Sequence, residues 1–178
     1  MRPLSEREED ELRNDADAPD MAKSIQYLDD GKMLFHGAMY EYDYVFNPET
    51  SQTDVFTEVQ SAIASAMDGF RVCIFAYGQT GSGKTYTMEG PRVDRGVNFR
   101  ALEEMFNLAA ADGNVDYDFN VSVLEVYSET VCDLLVRGSG GTDLAIRKNK
   151  DEVFVEGLTE CVVENATDVE ELMQLASR

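Results

Sequence analysis

The sequence is short of several things at once, and each shortage excludes something. It has no tryptophan, one histidine, three cysteines and four prolines in 178 residues. Cys73, Cys132 and Cys161 are odd in number, far apart and without C-x-x-C spacing. Neither a disulfide framework nor a zinc site is expected, and the compartment reads as reducing. His36 has no acidic, Cys or Ser constellation around it and is read as a surface residue. No run of about 18 apolar residues appears, and the amino terminus is acidic where a secretory leader would be basic and then apolar. No internal repeat is visible. Positive charge is scarce too: 15 Lys and Arg against 35 Asp and Glu give a formal charge of −20. A nucleic-acid backbone or an anionic membrane would be repelled, so neither is an expected partner, and cytoplasmic is the default location.

What is present is one strong motif in an otherwise ordinary globular composition, with 43% hydrophobic residues and length for one sizeable core. The stretch Val72 to Met88 reads VCIFAYGQTGSGKTYTM. Gly78, Gly83, Lys84 and Thr85 satisfy G-x-x-x-x-G-K-[ST], and the apolar run Val72 to Tyr77 reads as a buried strand feeding a loop and then a helix. A triphosphate has to be wrapped closely by backbone N–H groups. Gly78, Gly81 and Gly83 supply positions where a Cβ would clash or where φ must be positive. A helix starting near Lys84 adds unsatisfied N–H donors and the positive end of its dipole. Lys84 would bridge the β- and γ-phosphates, and the Thr85 hydroxyl would hold Mg²⁺.

The rest of the chain places this loop. Ser5 to Asp20 holds eight acidic residues against two Arg and is read as a solvated loop. From about Ile25 to Phe46 the pattern is strand-like, with Met33-Leu34-Phe35 apolar. Tyr40, Tyr42, Tyr44 and Phe46 alternate with Glu41, Asp43 and Val45, an aromatic face expected to pack one side of a sheet. Asn47-Pro48 breaks that strand. Ser51-x-x-Asp54 then opens an amphipathic helix, Gln52 to Met67, which Gly69 ends. Gly90-Pro91 stops the Lys84 helix, and Val97 to Ala111 is a second helical pattern before the turn Asp112-Gly113-Asn114. Asp118 to Ser128 reads as one strand, and Val131 to Val136 as a short apolar segment. Leu144 to Ile146 and Val153 to Val155 read as two short strands flanking the charged turn Arg147 to Asp151. Thr167-x-x-Glu170 is a capping-box pattern opening a last helix. Strand, helix, strand, loop and helix in succession imply an α/β fold with a mixed, largely parallel central sheet and helices on both faces.

These residues resemble the first half of a kinesin motor domain. The resemblance is carried by Val55-Phe56, IFAYGQTGSGKTYTM at Ile74 to Met88, VSVLEVYSETVCDLL at Val121 to Leu135, and NATDVEELMQLASR at Asn165 to Arg178. It covers nearly the whole chain, least well the acidic loop, and GFRVCIFAYGQTGSGKTYTMEGP is most similar to the C-terminal-motor class. That class usually moves toward microtubule minus ends, although direction depends on a neck outside the catalytic core.

The resemblance implies a single partial P-loop motor domain over residues 1–178, with ATP or ADP and Mg²⁺ as ligands. Gly78, Gln79, Thr80, Gly81, Ser82, Gly83, Lys84 and Thr85 would cradle the phosphates. Tyr86 would lie near the adenine, with Phe70 a further wall of that pocket, and Arg2-Pro3 match the end of the family's R-x-R-P contact, its first Arg absent. Residues 143–155 would form a microtubule-contacting hairpin through Arg147, Lys148 and Lys150, unless that basic cluster is only a solvated turn. The implied partner is the microtubule and the implied location the cytoskeleton. The family's N-x-x-S-S-R-S-H and D-x-x-G switches are both absent from these 178 residues. No catalytic residue is therefore expected within the chain, and strands of the sheet should be missing too. The alternative is a non-catalytic nucleotide-binding or interaction module that pairs with a partner protein at the unfinished sheet. An unrelated phosphate-loop kinase or GTPase has no base-reading or substrate motif here.

Overall fold

The computed structural model describes residues 25–28, 31–136, 143–150 and 152–177. The acidic loop Ser5 to Asp20 and the Arg2-Pro3 contact lie outside them. The chain divides into two compact units, the first ending at Ala101 and the second beginning at Leu102.

In the first unit β1 (Ile25–Tyr27), β2 (Lys32–Phe35) and β3 (Ala38–Glu41) form an antiparallel meander. Phe35 pairs with Ala38, so only His36 and Gly37 turn the chain, at φ +49° and +80°. Two positive φ values in a two-residue loop are the signature of a type I′ hairpin turn. His36 is exposed there, as expected, with its ring 4.3 Å from that of Phe35.

The strand stops at Glu41, short of the expected Phe46. Tyr40, Tyr42 and Tyr44 stay largely exposed and build no packed sheet face. Tyr44 instead hydrogen-bonds Glu58 on the next helix, and that bond and the Glu58 charge push its phenol above the ordinary tyrosine value. Alternation supplied the aromatic period, but no layer among the described residues covers that side.

Helix α1 (Gln52–Met67) has the bounds its apolar spacing implies. Ser51 accepts from the Asp54 amide while the Asp54 carboxylate takes the Ser51 N–H, a full capping box. Gly69, at φ +91°, ends the helix. Helix α2 (Lys84–Met88) follows the glycine-rich loop, and α3 (Val97–Ala111) begins after Gly96.

The stretch Val72 to Tyr77 differs from the sequence reading. It pairs in no ladder, and Phe75 and Tyr77 are 85% and 101% exposed. All ladders among the described residues are antiparallel. The α/β class stands, but the largely parallel sheet does not appear among the described residues. A parallel strand needs neighbours reached through long crossovers, and no described strand pairs with this one.

In the second unit β4 (Phe119–Val121) pairs with β9 (Cys161–Val163), β5 (Leu124–Tyr127) with β6 (Thr130–Asp133), and β7 (Ile146–Lys148) with β8 (Val153–Val155). The single strand expected over Asp118 to Ser128 is thus two, broken at Ser122-Val123. Val123 and Leu124 are consecutive apolar residues, so the period-two pattern slips there and the two halves pair differently. Helix α4 (Ala166–Ala176) packs on β9, burying Val169 and Val163. Its cap is Asn165, accepting from Thr167 and Asp168 amides, rather than the Thr167 box expected. An Asn placed just before the helix competes successfully because its short side chain reaches both donors.

Candidate functional site

The glycine-rich loop is shaped by what its residues lack. A Cβ at Gly78 would run into the Ser82 side chain, so the loop can close only with glycine there. Gly81 and Gly83 stand at φ +83° and +93°, the left-handed region that other residues enter at a cost of about 1–2 kcal/mol. Ser82 N–H donates to the Gln79 carbonyl at 3.1 Å and tightens the turn.

Gly83 is the N-cap of α2 and has no side chain to satisfy the first amides, which are left facing the loop. Lys84, Thr85 and Tyr86 are the first three helical residues. The Lys84 Nζ donates to the carbonyls of Gly78 at 2.8 Å and Gln79 at 2.9 Å, which holds the ammonium over the loop. A hollow of about 410 Å³ is lined by Thr80, Gly81, Gly83, Lys84, Thr85 and Tyr86 alone. A second cleft, about 310 Å³, shares Gly83, Lys84 and Tyr86 and is walled across from them by Phe46, Asn47 and Gln52. With five residues α2 has little macrodipole, so donor geometry and the lysine carry the attraction for an anion.

Two side chains that the sequence reading missed brace this helix. Gln52 Nε2 donates to the Tyr86 carbonyl at 2.6 Å. Beyond the helix, Arg100 donates from Nε to the Arg95 carbonyl at 2.6 Å and pairs with Asp94 at 2.8 Å, closing the loop through which Gly96 N–H returns to the Glu89 carbonyl. Gly96 packs against the backbone of Thr87 and Met88 with no room for a Cβ. No motif marks these residues, although glycines flanking PRVDR hint at a tight return.

Helix start, glycine conformations and lysine placement together have the form expected of a phosphate-binding loop, a device shared by several families. The family is decided by comparison. A family model described as "Kinesin motor domain" matches residues 1–178. The chain belongs to the kinesin motor domain family. It is 44% identical over 140 residues to the kinesin-like protein KIN-14R of Arabidopsis thaliana, covering 78% of this chain and 13% of that one. It is 46% identical over 143 residues to KIN-14J of Oryza sativa subsp. japonica, covering 78% and 17%. These are kinesins of the C-terminal-motor class to which the sequence is most similar. A solved structure of a fast kinesin superposes with a TM-score of 0.87 at 27% identity, over 99% of this chain and 50% of that one. The fold is therefore a partial kinesin motor fold, and the chain spans less than a fifth of these curated relatives.

The candidate microtubule residues sit in the second unit, on different backbone from that expected. Arg147 and Lys148 lie within β7, opposite Phe154 and Val153, while Lys150 follows in the bend. The strand is displaced from Leu144 because Leu144 N–H is taken by the Val131 carbonyl. Arg147 Nε bonds Glu156 at 2.9 Å across the hairpin, so its charge is partly met within the protein.

Asp133 is the other side chain that the sequence reading passed over. Its carboxylate accepts from the amides of Leu135 and Thr159, at 2.9 and 2.8 Å, tying β6 to the chain before β9. Burial raises its carboxyl, but the Thr159 hydroxyl and the amides of Thr159, Leu135 and Val136 outweigh that and hold it below the ordinary 3.8. A lone carboxylate inside Val-Cys-Asp-Leu-Leu is the signal that could have found it.

Proposed function

We propose that the chain is the ATP-binding portion of a microtubule-based kinesin motor, whose complete domain couples ATP hydrolysis to movement along microtubules. The observation that carries this reading is Lys84 at the first position of α2, its ammonium bonded back to the loop carbonyls of Gly78 and Gln79.

In this reading the amides of Gly78 to Thr85 wrap the phosphates. An ammonium bonds a phosphate oxyanion more strongly than a neutral carbonyl, so Lys84 would exchange its loop partners for the β- and γ-phosphates. Tyr86 would lie beside the base, as would Phe70 and Arg2-Pro3. Among the described residues no group of three or more His, Cys, Asp or Glu could hold a metal ion. Mg²⁺ would then be held by the Thr85 hydroxyl and the phosphates, neutralising charge on the β- and γ-oxygens. Arg147, Lys148 and Lys150 are the proposed contacts to the acidic surface of a microtubule, and the cytoskeleton is the proposed location.

Hydrolysis needs groups that orient water on the γ-phosphate, and both switch motifs are absent from these 178 residues. The chain alone is expected to take up Mg·ATP weakly and to turn it over negligibly. The test is uptake of labelled ATP with magnesium by the parent and by Lys84→Ala. The variant should lose it, and equal uptake would sink the reading. Exposed Phe70, Phe75 and Tyr77 favour, as a second reading, a module that pairs with a partner strand. Light scattering showing a stable monodisperse monomer would count against that.

A further inference from the structure

We propose that Gln52 is a positioning residue for the phosphate-binding loop: its side-chain amide holds the Tyr86 carbonyl and so fixes the short helix that presents Lys84 and Thr85. The geometry is independent of the nucleotide reading, and only the consequence for binding rests on it.

Five residues make barely more than one turn, and so short a helix has no stability of its own. Its far end is irregular. Gly90 stands at φ +65°, where a left-handed helix end usually returns its N–H to the carbonyl four residues back. That carbonyl would be Tyr86. Instead both Glu89 and Gly90 N–H go to Thr85 oxygen, at 2.8 and 3.2 Å. The Tyr86 carbonyl is turned to Gln52, which donates to it at 2.6 Å. This acceptor is only partly buried, so losing the donor would cost the bond and part of the carbonyl's desolvation.

Gln52 itself is well held. It is 3% exposed, the one buried polar side chain among the described residues. It is the first residue of α1, fixed by the Ser51–Asp54 capping box. It also lines the cleft that Lys84 and Tyr86 line. A sixteen-residue helix thus anchors a five-residue one through a single amide, next to the residues that would meet phosphate.

The experiment compares the parent chain with Gln52→Leu and Gln52→Glu by hydrogen exchange without nucleotide. Leu keeps the volume and removes the donor. In Gln52→Leu the Thr87, Glu89 and Gly90 amides should exchange about tenfold faster, with amides around Ile63 unchanged. An ionised carboxylate cannot donate, so Gln52→Glu should behave like the Leu variant at neutral pH. Protonation restores a donor, and the variant-to-parent ratio at matched pH should fall back toward one in acid. Burial, the Tyr86 carbonyl and Asp54 on the same helix turn favour the protonated carboxyl and raise the pH of this recovery, while Lys84, which lines the same cleft, lowers it. Uptake of a fluorescent ADP analogue with magnesium should be weakened about three- to tenfold in Gln52→Leu. Parent-like exchange at these amides, an equal rise throughout α1, or a pH-independent Glu variant would overturn the proposal. If parent and Lys84→Ala take up the analogue equally, the loop reading fails, while the exchange data still decide the role of Gln52.

Discussion

The glycine-rich loop and the β7–β8 hairpin are the two places where this chain presents itself to another molecule in the proposed function, and they are built on opposite principles. In the loop the working groups are backbone amides, and side chains matter mostly by being absent, as at Gly78, or by bracing from behind, as at Gln52. In the hairpin the backbone is an ordinary antiparallel ladder, and any recognition rests on long exposed cations, one already engaged by Glu156. A backbone site tolerates almost no substitution and is written as fixed spacing. A charge site is graded, salt-sensitive and written only as composition.

That contrast can be broken in three ways. The largest effect is expected at Gly78→Ala, whose added methyl collides with Ser82. Nucleotide uptake should fall at least about tenfold with little change in melting temperature, since the cost falls on the loop conformation. Retained uptake would show that the loop opens freely. Next is Asp133→Asn, which removes the charge from bonds that tie β6 to Thr159. Urea unfolding at neutral pH should show a loss of about 1–2 kcal/mol. The parent's advantage should be present above the ordinary carboxylate range and vanish as pH falls through the lowered native value, because protonation discharges the acceptor. An advantage that persists in strong acid would contradict this. The smallest effect belongs to the hairpin. Co-sedimentation with microtubules at low salt should weaken about twofold for Lys148→Ala or Lys150→Ala and less for Arg147→Ala, because Glu156 already offsets that charge. An Arg147 effect larger than the lysine effects would reverse the ranking.

The same contrast explains what could be read from the sequence. Helices α1 and α3 were legible to their end residues, because apolar spacing, the Ser51 box and Gly69 act within a few positions. The loop was legible for the same reason, since each glycine answers to a local φ or a local collision. What escaped notice depends on partners distant in sequence. Val72 to Tyr77 has the composition of a buried strand, yet burial is a property of neighbours, and none of the described strands pairs with it. Gln52 looked like any helix-opening residue, and its meaning comes from a carbonyl 34 positions away. Strand β9 went unread because its partner is not the other arm of a tight hairpin, as for β7 and β8, but Phe119 to Val121, far back in the sequence. Arg147 and Lys148 were read in a turn because charge suggests solvent, whereas a two-stranded hairpin exposes its strands as its bend is exposed.

The central claim is that backbone amides from Gly78 to Thr85, with Lys84, grip the phosphates of a nucleotide. The direct measurement is an amide NMR titration of the parent chain with Mg·ATP. The account predicts that the Gly78, Gly81, Gly83, Lys84 and Thr85 N–H resonances shift together while those around Arg147 and Lys148 stay still. Resonances of the loop that do not move at saturating nucleotide, or shifts confined to another part of the chain, would contradict it.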